Sequence, residues 1–352
     1  MLTAEKWTVP TNGYPELAQV GDYNKDGQTF VDTQHPHSSP IMGLTFSDTI
    51  SFGDTHNFLN IFFSPRGATT DGPVVFMHRP TGMVNPVAPL SHHIGQDSGH
   101  VTSSVYGATL GWGSHRLEFS TFNGAEPSPT EVDLPMASPD SYAWRVIVGL
   151  KPHWAAMYSS TFVKHPDHYA PQIDHYNKYS GSIYANYRLS EKWTFDNAFI
   201  YGLVRNADDH AKFGFDLSLA SRLSPSSIHP DHIGVIPIKP GQTPIYPAVN
   251  SFVEEFLFAS RKHKIWGRIE LLQRTPYDLD IFNDPSPTLI RWMSSYTIGY
   301  TYNLGTWNDI DLDAGASFNK IYLPSEYQPH YGGNPISELI FLQIHGMSMI
   351  EI

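Results

Sequence analysis

The feature that most constrains this chain is a strict alternation of apolar and polar residues, repeated in many segments of about ten residues. Residues 295–304 read SYTIGYTYNL, with an aromatic or aliphatic side chain at every second position. Residues 309–318 read DIDLDAGASF and show the same alternation. Successive side chains of a β-strand point to opposite faces, so this period predicts strands with one apolar and one polar face.

Thirteen segments of this kind follow one another along the chain. They lie near 41–51, 56–64, 100–112, 114–123, 140–150, 153–163, 179–189, 192–205, 249–260, 263–274, 292–304, 308–320 and 335–346. Most are long enough for the roughly 9–11 residues that a tilted strand needs to cross a bilayer. Short turns alternate with long connections between them, as in outer-membrane barrels.

The composition agrees with a barrel whose outer face meets lipid. Only 16% of the residues are charged and 13% are aromatic, which makes a poor surface for a soluble protein. No apolar run approaches the roughly 18 residues of a membrane helix. The mean hydropathy of −0.29 is typical of strands whose lipid-facing and lumen-facing residues cancel. We therefore predict an all-β, antiparallel transmembrane β-barrel of about 12–14 strands, with residues 213–223 as a candidate additional strand.

The net charge and the cysteine content limit the possible cellular compartment and the possible binding partners. The net charge of −12 argues against nucleic acid as a partner, because nucleic acid favours a basic surface. The absence of cysteine favours an exported protein. The first residues, MLTAEKWTVP, lack the basic start and apolar core of a signal peptide, so we expect Met1 to be a start codon added to a mature chain.

The domain organisation follows from where the alternation begins and ends. We predict a polar N-terminal arm or plug at 1–39, a barrel at 40–346 and a C-terminal tail at 347–352. Tryptophans close to turns predict the aromatic girdles that mark membrane interfaces. Those residues are Trp112, Trp154, Trp193, Trp266, Trp292 and Trp307.

Residues 76–93, FMHRPTGMVNPVAPLSHH, interrupt the alternation between the second and third segments. Pro80, Pro86 and Pro89 fix φ and remove hydrogen-bond donors, so this stretch is not a central strand. Long ordered loops are commonly functional. We predict that loop 66–99 folds into the lumen and constricts it.

Several short motifs resemble those of a family of bacterial outer-membrane β-barrel proteins. They are QHPH at 34–37, FMHRPTGM at 76–83, NP at 85–86, AP at 88–89, HH at 92–93, FNG at 122–124 and NPIS at 334–337. The likeness runs from about residue 34 to 346. It implies a barrel fold and the outer membrane of a Gram-negative bacterium, and it implies no particular activity. The chain differs from the family pattern in a longer 206–248 segment and in its ending, HGMSMIEI.

Residues of the polar register predict a charged lumen. Both signs occur there, as in water-filled pores. The predicted pore-lining residues are Arg79, Arg116, Glu118, Arg145, Arg188, Asp196, Arg268, Glu270 and Asp311. The alternative is that these side chains pair and close a narrow barrel.

The sequence also contains candidates for two kinds of metal site. Imidazoles bind zinc, copper and nickel. The candidate transition-metal ligands are His35, His37, His78, His92, His93 and His100. The arm also matches the first half of a calcium loop. The candidate Ca²⁺ ligands are Asp22, Asn24, Asp26, Gln28 and Asp32, although Thr33 stands where a bidentate Glu is expected.

These patterns leave three functions open. The one we favour is a channel through the outer-membrane lipid bilayer for a small polar solute or ion, of unknown oligomeric state. A metal-binding outer-membrane protein is the alternative. The sequence contains no G-x-S-x-G, P-loop or H-E-x-x-H motif, so a barrel enzyme acting on envelope lipid has no identifiable nucleophile.

Overall fold

The protein is described by a computed structural model that covers residues 41–53, 56–96, 102–125, 136–164, 175–207, 248–274, 290–308 and 310–346. Thirteen strands form one antiparallel sheet in which each strand pairs with its neighbours in sequence. The strands are β1 (Leu44–Ser51), β2 (Asn57–Gly67), β3 (Thr102–Trp112), β4 (His115–Asn123), β5 (Ser141–Lys151), β6 (Trp154–Lys164), β7 (His175–Arg188), β8 (Thr194–Ala207), β9 (Val249–Ala259), β10 (His263–Arg274), β11 (Arg291–Trp307), β12 (Ile310–Tyr322) and β13 (Ile336–Gly346).

All thirteen predicted segments are strands, with boundaries that differ by a few residues. The largest difference is at β7, which begins at His175, four residues before the predicted start. The candidate additional strand at 213–223 lies outside the described residues, as do the predicted arm at 1–39 and tail at 347–352.

The strands are joined by short turns at one end of the sheet, called here the short-turn end, and by longer connections at the other, the long-loop end. The connection between β2 and β3 does not run over the surface. It contacts the inner faces of strands from β4 to β13, so the sheet must curve around it. The short helices Phe76–His78 and Pro80–Met83 and the kinked segment His92–Gln96 lie in this connection, and the short helix Gln328–Tyr331 follows β12. None of the helices in these ranges is long and apolar enough to cross a membrane.

The outward face of the sheet is apolar, and many of its large side chains are exposed, including Leu110, Phe119, Tyr158, Ile269 and Ile298. Aromatic pairs lie near both ends of the strands, as in the girdles of membrane barrels. They are Trp154–Tyr187, Phe195–Phe258 and His263–Tyr302 at the short-turn end, and Tyr142–Phe162, Tyr201–Phe252 and Tyr296–Tyr322 at the long-loop end. The fold is therefore an antiparallel transmembrane β-barrel.

Trp266 corrects the predicted girdle. It is 1% exposed and its indole N–H donates to Thr301 Oγ1 at 3.0 Å. Its register places it on the inward face of β10 with Arg268, because Ile265 and Ile269 occupy the outward face. Trp266 packs there over Gly299, where a Cβ would overlap its ring.

One acidic residue departs from the apolar exterior. Glu254 lies in the outward register of β9 and accepts a hydrogen bond from Asn197 Nδ2, which also donates to the Glu255 carbonyl at 3.1 Å. The amide thus ties the carboxylate to the strand pair β8–β9.

Candidate functional site

The candidate site is the interior of the barrel and the connection that enters it, residues 68–96, called here the inner loop. The prediction that this connection folds into the lumen is confirmed for these residues. Its first part runs across the four strands β4 to β7. The backbone N–H groups of Thr70, Gly72 and Val74 donate to Ser120 Oγ (2.9 Å), Ser159 Oγ (2.8 Å) and Tyr184 Oη (3.0 Å). Inward hydroxyl groups of β4, β6 and β7 therefore satisfy every second amide of this segment.

Arg79, which follows, is the centre of a buried ion-pair cluster. Its Nε and Nη2 donate to the two oxygens of Glu255 at 2.9 and 3.0 Å, and its Nη1 donates to the Val74 carbonyl at 2.7 Å. Arg268 Nε donates to Glu255 Oε1 at 2.9 Å and Thr81 Oγ1 donates to Oε2 at 2.8 Å. Glu255 thus accepts four hydrogen bonds, about the capacity of a carboxylate.

The second part of the inner loop returns along β10. Arg268 Nη1 donates to the Val87 carbonyl at 2.8 Å and Arg274 Nη2 donates to the Leu90 carbonyl at 2.7 Å. Glu270 Oε1 accepts hydrogen bonds from the Ser91 amide at 3.1 Å and from its hydroxyl at 2.9 Å. Charged side chains of β10 therefore hydrogen-bond both the carbonyl and the N–H groups of the inner loop.

The loop ends against β8 and β9. Gln96 Nε2 donates to Ser251 Oγ at 2.8 Å, and that hydroxyl donates to the Ile94 carbonyl at 2.8 Å. Gly202 lies directly beneath, and a Cβ there would overlap the Ile94 carbonyl oxygen. The close approach of the loop to β8 thus depends on the missing side chain.

An apolar cluster fills the interior near the long-loop end. It joins the loop to the inward residues of β8–β12 and to the segment after β12. Its buried members are Leu90, Ile94, Val204, Val249, Leu272, Met293, Ile321, Leu323 and Tyr327. This cluster shows that the loop is packed against the wall, not merely hydrogen-bonded to it.

The predicted pore-lining residues divide into two groups. Arg79, Glu118, Arg268 and Glu270 are buried, and Arg145 donates to Glu118 at 2.6 Å and to the Asp71 carbonyl at 3.2 Å. These five contact the loop or one another. Within this group only Arg145 and Glu118 pair with each other, whereas Arg79 and Arg268 pair with Glu255 and Glu270 accepts hydrogen bonds from Ser91.

The second group lies in the inward register near the short-turn end. Arg116 lies over the Phe58 ring, 6.0 Å from its centroid. Asp196 accepts a hydrogen bond from Asn186 at 2.5 Å, and Asp311 accepts one from Thr306 at 2.5 Å. Arg188 donates to the Ser190 carbonyl at 3.3 Å. A pore-lining role for these four residues stays a prediction.

The histidines do not converge in the described part of the chain. His78 is exposed, whereas His92 is buried and its Nδ1 donates to the Pro89 carbonyl at 2.6 Å. In the described ranges no group of three or more His, Asp or Glu could hold a metal ion. His35, His37, His100, the His93 side chain and the calcium candidates Asp22, Asn24, Asp26, Gln28 and Asp32 lie outside those ranges.

Glu255 and Ser251 were not among the predicted site residues. Strand β9 has apolar residues on both faces, with Val253 and Leu257 inward and Phe252 and Phe256 outward. Alternation therefore could not tell which of Glu254 and Glu255 points inward. The neighbouring strand could have supplied the signal, because Arg268 pairs directly with Glu255 in the register of β9 and β10.

Comparison with known proteins returns structural likeness without sequence relatives. No model of a known protein family matches the chain, and no curated protein matches it. The chain is similar to Pseudomonas aeruginosa OccK8 (OprE), with 8% identity, a TM-score of 0.42 and coverage of 86% of this chain and 82% of that one. It is similar to a porin at 11% identity and a TM-score of 0.40, covering 86% of this chain and 91% of that one. Acinetobacter baumannii OccAB2 gives 10% identity, a TM-score of 0.42 and coverage of 99% and 80%. With TM-scores this low, the fold assignment rests on the strand pairing and on the interior contacts.

Proposed function

We propose that the protein is an outer-membrane channel for a small polar solute or ion, narrowed by the inner loop. The observation that carries this proposal is the fixed position of the loop inside the barrel, held by the Arg79–Glu255–Arg268 cluster. A loop held only at the surface would leave the interior unchanged. The apolar exterior with aromatic pairs at both ends supports a location in a bilayer.

Among the described residues, the part of the interior that the inner loop leaves free lies on the side of β1 and β2. All eight residues of β1 are exposed, and the inward register of this strand consists of Thr45, Ser47, Thr49 and Ser51. The described contacts of the inner loop are with β4 to β13 instead. The solute path therefore runs between the inner loop and the polar wall formed by β1 and β2.

The absence of cysteine makes this path directly testable. Single-channel current would be recorded in planar bilayers for the wild type, Thr49→Cys and Ile61→Cys. A charged thiol reagent added to Thr49→Cys should reduce the current, because the modified side chain faces the path. Ile61 is outward on β2 and 53% exposed, so its cysteine variant is the matched control and should keep its current. A wild-type protein that inserts but never conducts would refute the channel.

The alternatives have less support. Among the described residues, no group of three or more His, Asp or Glu is placed to hold a metal ion. Metal binding by the predicted histidines stays a prediction, testable by titrating copper, zinc and nickel by calorimetry into the wild type and into a His78→Ala, His92→Ala, His93→Ala variant.

A further inference from the structure

Three neighbouring turns at the short-turn end carry exposed basic side chains. Lys151 is the last residue of β5, and Lys192 lies in the turn from β7 to β8. Arg261 and Lys262 lie in the turn from β9 to β10. These four residues are called here the basic arc. The same turns contain a single acidic residue, Glu191, so positive charge exceeds negative charge there.

The other three short turns have a different composition. Residues 52–56, 113–114 and 308–309 contain two aspartates and no lysine or arginine. The whole chain has 22 basic and 34 acidic side chains, so a basic excess is not its average property. All residues of the three basic turns lie in the described part of the chain. Positive charge at this end is therefore concentrated on the side of the barrel formed by β5–β10.

The basic arc lies directly beside aromatic residues of the outer face. Lys151 pairs with Trp154 across β5 and β6, after a register shift that begins at Gly149. Directly opposite residues of an antiparallel pair lie on one face of the sheet, and Trp154 is 38% exposed in the outward register. Lys192 immediately precedes Trp193 in the next turn. The side chain of Lys151 therefore leaves the wall on the lipid side and not on the pore side.

The level of these side chains in a bilayer follows from the aromatic residues. Tryptophan and tyrosine rings mark the boundary between hydrocarbon and headgroups. Lysine and arginine side chains just beyond that boundary extend to the headgroup phosphates. Short turns of outer-membrane barrels lie on the periplasmic side. This step rests on the bilayer location given under the proposed function.

We propose that the basic arc binds the phosphate groups of anionic phospholipids, such as phosphatidylglycerol, in the leaflet at the short-turn end. Opposite charge supplies the attraction, which strengthens binding to an anionic surface by about fivefold for each basic side chain. Turns separated by two strand spacings are about 10 Å apart, so the arc binds several headgroups side by side. Anionic lipid therefore collects next to β5–β10 and not evenly around the barrel.

The first test measures lipid association with the full chain reconstituted in phosphatidylcholine vesicles. Electron paramagnetic resonance would give the fraction of spin-labelled phosphatidylglycerol immobilised by the protein, and the same fraction for labelled phosphatidylcholine. Phosphatidylglycerol should associate up to about fivefold more tightly. Salt at about 1 M should bring the ratio close to one, because the Debye length falls to about 3 Å. Equal association of the two lipids at low salt, or a preference that salt leaves unchanged, would overturn the proposal.

The second test assigns the preference to the basic arc. A variant with all four arc residues replaced by glutamine should associate equally with both lipids, and circular dichroism would check that its β-structure is retained. Arg116→Gln is the control, because Arg116 lies over the Phe58 ring on the inward face. It removes a positive charge near the same end and should keep the preference. A preference that survives in the arc variant would contradict the assignment.

The outcome is independent of channel activity, because neither test measures current. A barrel that prefers phosphatidylglycerol but does not conduct would refute the channel alone. A barrel that conducts without this preference would refute only the lipid site. A protein that does not insert into the vesicles would refute both.

Discussion

The inner side of β9 and β10 and the strands β1 and β13 at the ends of the sheet differ in how their polar groups are paired. Around β9 and β10 every charged side chain of the loop-binding wall has a partner, and Glu255 alone accepts four hydrogen bonds. At β1 and β13 whole rows of backbone groups face no described neighbour. The comparison shows that alternation of apolar and polar residues predicts a strand but not the hydrogen-bond partners of its polar groups. Around β9 and β10 it is the inner loop, distant in sequence, that supplies hydrogen-bond partners to the charged side chains.

The largest expected effect is at the loop-binding wall. Glu255→Ala leaves Arg79 and Arg268 buried without their counter-charge, and breaking a buried ion pair in this way costs about 3–5 kcal/mol. The free energy of unfolding, measured with urea in micelles, should fall by that amount, and the inner loop should become accessible to protease.

Glu326→Ala is the control for that substitution. Glu326 pairs with Arg291 at 3.0 Å but its side chain is 47% exposed, and exposed pairs contribute little. Equal losses of stability for the two variants would contradict the difference expected between the buried ion pairs of Glu255 and the exposed pair of Glu326.

An intermediate effect is expected where the loop touches β8. Gly202→Ala introduces a methyl group that overlaps the Ile94 carbonyl, and overpacking of this kind costs about 1–3 kcal/mol. The end of the loop should move away from the wall, and single-channel conductance should change with it.

Gly181→Ala on the adjacent strand is the matched control, because no atom lies within 4 Å of the added Cβ. Conductance should equal that of the wild type. If Gly202→Ala also left stability and conductance unchanged, the loop would not be held in the position described.

The smallest effect is expected near the exposed edge. Asn60 Nδ2 donates to the Asp48 carbonyl at 3.3 Å and to Thr49 Oγ1 at 2.8 Å, both in exposed surroundings. Asn60→Ala should change the free energy of unfolding by no more than about 0.5 kcal/mol.

Asn319→Ala makes the corresponding change in the buried interior, where Nδ2 donates to Ser295 Oγ at 2.8 Å and Thr297 Oγ1 at 2.7 Å. It should cost about 1–3 kcal/mol, since buried hydroxyls lose their donor. A large loss for Asn60→Ala would show that the β1 edge is more enclosed than its exposure indicates.

Much of the fold was predictable from local pattern, but the site was predictable only in part. The thirteen strands follow from alternation that each segment carries by itself. Arg79 was predicted in the lumen because three prolines exclude its segment from the sheet, and its pairing there was left as an alternative. Its partner Glu255 was not expected, because β9 is apolar on both faces and gives no orientation. Trp266 was placed on the wrong side for a related reason: nearness to a turn says nothing about which face a ring occupies.

The sequence by itself determined the strands, their antiparallel order and the position of the stiff connection at 66–99, because these depend on residues close together in the chain. The tertiary structure alone decided which charges pair, which face of β9 turns inward and where the interior is filled. Those features join residues far apart in sequence, such as Arg79 with Glu255 and Ser91 with Glu270. Their geometry exists only after the sheet has curved around the loop, and no local pattern can specify it.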